Sequence, residues 1–150
     1  MRGRAAVLAA LTLLLVQAEA AGQVTTLRNL TFGIIPSGTT TTVLKTSANS
    51  AQWRITGTFL LGGTFALTLP TTLTGPGTAI PIAFSTTAGQ RNTANNPNGG
   101  TSFNPHTSQP VTLVTLGTIF LWLGASVSPP PNQAPGNYGA TVVLTTTGML

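Results

Sequence analysis

Beyond residue 20 the chain holds one histidine, His106, one lysine, Lys45, and no aspartate, glutamate or cysteine. Proton transfer, nucleophile activation and metal ligation rest mainly on these residue types. A Ser–His pair built on His106 has no carboxylate to orient the imidazole, and no Gly-x-Ser-x-Gly elbow is present. His106 stands in Asn104-Pro105-His106, within a polar stretch, where a solvated loop side chain is the simpler reading. A Ser–Lys dyad would need Lys45, which ends a predicted strand among ordinary turn residues. One histidine does not make a metal site. Gly99-Gly100 has no Lys-Ser/Thr partner and precedes no helix, so it is not a phosphate cradle. The expectation is a protein that is not an enzyme and has no catalytic residue, cofactor or metal.

The same shortage narrows other chemistry. Spontaneous Lys–Asn cross-links need a carboxyl group to shuttle protons, so no covalent staple is expected. Without cysteine there is no disulfide scaffold. The charges past residue 20 are Arg28, Lys45, Arg54 and Arg91, scattered and not interleaved with aromatics. That distribution argues against nucleic acid and leaves weak attraction to an anionic cell-surface polymer or glycan. Asn29-Leu30-Thr31 fits a glycosylation sequon, read here as a chance match within a strand.

The first twenty residues read as a cleaved secretory signal peptide. Arg2 and Arg4 give a positive start and an apolar stretch follows over 5–16. Ala18 and Ala20 supply the small residues a signal peptidase reads, with a cut after Ala20 or, alternatively, after Ala21. The apolar stretch is shorter than a membrane span, and no later run is long enough for a transmembrane helix. The expected product is one secreted or surface-exposed domain, 21–150, with no membrane span.

The elements of that domain read as strands. Threonine, valine, isoleucine and aromatics favour pleated surfaces, Gly and Pro recur at short intervals, and no stretch sustains a helical period. Strands are predicted over 24–32, 40–46, 52–56, 64–69 and 78–85. The 57–63 segment is read as a connection, and 88–110 as a long polar loop. A short and a longer strand share 111–127, and a last strand covers 137–146. Alternation assigns Phe32, Trp53, Ile55, Phe65, Leu67, Leu69, Ile82, Phe84, Leu121, Val142 and Leu144 to the core. Pro81 marks 78–85 as an edge strand. The 118–124 strand is apolar on both faces, so Phe120 and Trp122 need a cover. A second layer or the 88–110 loop would supply one. Alternatively these two, with Tyr138 and Val143, form an assembly surface for a neighbouring subunit.

Four ordered segments carry a family resemblance: 30–36 (LTFGIIP), 53–57 (WRITG), 65–70 (FALTLP) and 132–144 (NQAPGNYGATVVL). Together they resemble a bacterial secreted domain-of-unknown-function family related to spore coat protein U and fimbrial, pilin-like subunit domains. The resemblance implies an immunoglobulin-like antiparallel β-sandwich of about seven or eight strands, displayed outside the inner membrane. In those relatives a neighbour's strand completes each subunit by β-strand addition. The chain differs from them in lacking a cysteine pair and in a short segment, 21–26, before its first strand. Two functions follow as expectations. One is a self-associating structural subunit of a surface appendage or coat. The other is a monomeric binding module that touches glycan or protein through the 88–110 loop.

Overall fold

A computed structural model describes residues 22–149. Ala18, Ala20 and Ala21, assigned to signal cleavage, lie outside the described residues. The fold is an all-β sandwich. Its strands are β1 (Gln23–Arg28), β2 (Thr41–Val43), β3 (Ala51–Thr68), β4 (Thr72–Leu73), β5 (Ile80–Ala83), β6 (Gly89–Asn92), β7 (Thr101–Phe103), β8 (Gln109–Leu123), β9 (Ala125–Val127) and β10 (Val143–Thr147). One sheet has the order β1-β3-β8-β6-β7, with β10 also on β3, and the other has the order β2-β9-β5-β4. Every pairing between these strands is antiparallel.

The long pair β3–β8 is the spine. The 57–63 segment is not a connection, because β3 runs unbroken for 18 residues. Its register against β8 shifts between Gly57 and Phe59 and again between Phe59 and Gly63. Glycine inside a strand marks a bulge or bend as readily as an end, which is what happens here. Gly57 lies opposite Gly117, and β8 runs through Gly117 without a break, so 111–127 divides only after Leu123.

Alternation places the core. Trp53 and Ile55 of β3 lie opposite Leu121 and Ile119 of β8, and all four are buried. Ile80, Ile82, Val127 and Val43 bury from the second sheet, and Phe84 closes the end of β5. Phe65 meets Phe103 edge to face, with ring centroids 5.1 Å apart. Phe32, Leu67, Leu69, Val142 and Leu144, also expected in the core, are only partly buried and pack on its margin.

Three expectations are corrected. The 88–110 stretch is not a plain loop, since it folds as the β6–β7 hairpin around a single 3-10 turn, Pro97–Gly99. The strand bearing Pro81 is not an edge, because β5 pairs with β4 on one side and β9 on the other. The Pro81 carbonyl accepts from the Ser128 amide at 3.2 Å, so the missing proline donor faces the β9 side, just beyond the Ile82–Val127 pair where the β5–β9 ladder ends. The last strand begins at Val143 rather than near 137, because the preceding residues follow an irregular path held by the Thr74–Gly139 bridge.

Candidate functional site

Trp122 lies on the face of the first sheet that points away from the core. Its neighbours across the ladder are Gln52 on β3 and Gln90 on β6. Both glutamines turn to the segment crossing above them. Gln52 Nε2 donates to Asn95 Oδ1 at 2.6 Å, and Gln90 Nε2 donates to the Pro97 carbonyl at 2.8 Å. Asn92 Nδ2 donates to the Asn96 carbonyl at 2.7 Å, and Asn96 caps the 3-10 turn by accepting from the Asn98 amide at 3.0 Å. The result is a polar strap over an indole that is 1% exposed. Phe120 stacks on Trp122 with centroids 6.1 Å apart and is half-buried.

The assembly surface read from sequence is therefore not one surface. Trp122 is level with Gln52 at one end of β3, whereas Val143 is level with Thr68 at the other. Trp122 is covered by its own chain, so it is not free to receive a neighbour. Tyr138 belongs to a third place. Its hydroxyl accepts from the Gly77 amide at 2.9 Å and from Gln133 Nε2 at 2.6 Å, and it donates to the Ala134 carbonyl at 2.9 Å. Of the four, Val143 is the most exposed, at 49%.

The Tyr138 network forms one wall of a groove of about 870 Å³ between the two sheets. Ala51 and Trp53 form its floor on one side, and Leu73, Ile80, Ile82 and Val127 form it on the other. The remaining wall is the irregular segment after β1, from which Leu30, Phe32 and Ile35 pack partly against the core. Gly33 and Gly38 take positive φ values of 71° and 76° there, a conformation glycine adopts without strain. Ile34, between them, is fully exposed. On the buried side Gln133 Oε1 has no hydrogen-bond partner among the described residues.

No family model, curated protein or solved structure matches this chain.

The two groups considered for catalysis are both engaged. Lys45 Nζ donates to the carbonyls of Thr87 at 2.8 Å and Gly89 at 3.4 Å, and it also contacts Ser102 Oγ. A lysine next to a serine is the pair a dyad would use, and with the two 57 residues apart in the chain no local pattern links them. The Ser102 hydroxyl, however, donates to Gln90 Oε1 at 3.3 Å, and three acceptors account for the three hydrogens of the ammonium. The arrangement ties the β2–β3 connection to the β6–β7 hairpin. Burial pushes the Lys45 pKa below its ordinary value. His106 Nε2 lies 2.7 Å from the Phe84 carbonyl, and since a carbonyl only accepts, this nitrogen donates.

Proposed function

We propose that this chain is an exported, non-enzymatic structural subunit of a surface appendage or coat, and that it self-associates by β-strand addition. The observation supporting it is the groove of about 870 Å³ between the sheets. It is floored by apolar side chains and walled by segments that are not regular strand, which is the form of a sandwich that extended backbone could complete. The resemblance to pilin-like domains and the signal-like residues 1–20 agree with a subunit assembled outside the cytoplasm. With no side-chain carboxylate past residue 20, assembly would rest on backbone pairing and apolar burial rather than ion pairs.

Material sheared from the producing cell surface, viewed by negative-stain microscopy, tests this reading. The expected result is an ordered polymer carrying this chain, together with a concentration-dependent ladder of the purified protein. A protein that stays monomeric at every concentration, with no polymer on the cell, overturns it. A monomer with measurable glycan affinity would instead favour the binding-module reading.

A further inference from the structure

The outer edge of the first sheet is made by both ends of the described chain. β1 pairs with β3 over Gln52–Thr56, and β10 pairs with the same side of β3 over Thr64–Thr68. Both are antiparallel to β3, so they run in the same direction, end to end. β10 finishes at Thr147 opposite Thr64, and β1 starts at Gln23 opposite Thr56. Gly22 and Met149 meet between them, so closely that a Cβ at Gly22 would overlap the Met149 side chain. The two strands, five and six residues long, act as one composite edge strand.

This edge lacks the features that usually keep sheet edges from pairing. Short length, charge and proline are the common protections. The other strands that end a sheet are short, with three residues each in β2 and β7 and two in β4, and the part of β8 that β6 leaves open carries Pro110, whose carbonyl takes a bond from Arg91. The composite edge is longer than β2, β4 or β7 and reads VLTTT followed by QVTTLR, with no proline and no charge before Arg28. Arg28 is turned onto Ser47 and Ser50. Val24, Leu27 and Val143 remain 37–49% exposed along it.

We infer that two copies of this chain pair edge to edge along the composite strand, with β10 of each copy against β1 of the other. The inference rests on the self-association reading and assigns it a surface distinct from the groove. The occupant is a second copy because a two-fold axis through the β10–β1 junction turns the edge onto itself, matching each run of unpaired N–H and C=O groups with its antiparallel complement. Charge favours the same occupant. Every ionisable side chain on the described chain except Tyr138 is a base, so most faces of two copies repel, whereas this edge carries a single charge, Arg28 at its far end, turned onto Ser47 and Ser50. The nearest outward cation is Arg54, one strand in and level with Thr25. The two-fold sends the Arg54 side chains of the two copies toward opposite ends of the joined sheet.

Thiol cross-linking reads the arrangement directly, since the chain has no cysteine of its own. Thr25 lies opposite Arg54 and Thr145 opposite Ala66, so within one copy they are separated by roughly 40 Å at strand rise. Between copies they come face to face. The exported protein carrying Thr25→Cys, mixed with protein carrying Thr145→Cys and treated with a short thiol-to-thiol cross-linker, should yield a covalent dimer that neither variant gives alone. In parallel, Val24→Lys with Val143→Lys should shift the monomer–dimer midpoint in sedimentation to about tenfold higher concentration or more, with circular dichroism unchanged. Cross-linking of the Thr25→Cys variant to itself overturns this pairing. If the protein associates but the mixed cross-link and the lysine effect are both absent, the edge is wrong and self-association stands. If wild-type protein never leaves the monomer, both fail.

Discussion

Arg28 holds Ser50 by two bonds: Nε donates to the Ser50 carbonyl at 2.7 Å, and Nη2 donates to Ser50 Oγ at 3.1 Å. Nη2 also reaches the Ser47 carbonyl at 3.4 Å, and Ser50 Oγ donates to that carbonyl at 2.8 Å. Ser50 is fully buried. The guanidinium is thus satisfied by neutral oxygens, as it must be where no side-chain carboxylate exists among the described residues. It ties the end of β1 to the turn that leads into β3.

Removing that tie should loosen β1. Hydrogen bonds to a charged group contribute about 1.5–3 kcal/mol. Arg28→Ala should therefore lower stability by about 2 kcal/mol, read as a lower urea midpoint. Amide exchange should quicken first in β1. An unchanged midpoint would mean that water replaces the guanidinium without loss.

Trp122 takes one of the two covers its sequence allows, the 88–110 stretch, and that cover sets its prediction. A surface tryptophan waiting for a partner would tolerate Trp122→Thr in the isolated subunit. Buried between Gln52 and Gln90 beneath the 93–100 strap, it should not. Large-to-small replacement of a buried aromatic costs about 3–5 kcal/mol. Trp122→Thr should lower the melting temperature sharply and expose the strap to proteolysis, while the half-buried Phe120→Thr should cost less. A Trp122→Thr protein with unchanged melting and altered assembly would restore the partner-surface reading.

Trp122 also shows where sequence legibility ends. Alternation in 51–56 and 119–123 separates core side chains from outer ones, because each strand has one buried face of period two. The cover over the outer face is invisible to that rule. Gln90, Arg91 and Asn92 form β6 without an apolar face, and they are fixed through amide hydrogen bonds rather than burial of hydrocarbon. Gly57, Gly63 and Gly117 read as strand ends because glycine is a frequent breaker, yet β8 spans the irregularity and keeps β3 continuous. Val142 and Phe32 read as core but are half-buried, since they line the groove. That β1 and β10 share one side of β3 is a matter of long-range register, which no local pattern encodes.

The charge inventory sets an unusual pH response. Acid unfolding mostly reflects native carboxylates that must be protonated, with ordinary pKa values near 4. The only acidic side chain is that of Glu19, within the segment read as a signal peptide, so the domain should melt at nearly constant temperature between about pH 3 and pH 6. Lys45 acts in the alkaline range. Burial lowers its pKa in the fold, so between that lowered value and the ordinary lysine value the unfolded chain binds more protons than the native one. Stability from this group therefore rises with pH across that window, and the cost of keeping the ammonium charged is fully present below it. Lys45→Gln should remove the rise, giving a flatter melting profile than wild type as pH approaches about 10. Scanning calorimetry of the two proteins across both ranges checks the pair of expectations. Unfolding of the wild type between about pH 3 and pH 6 would contradict the first, and parallel alkaline profiles would contradict the second.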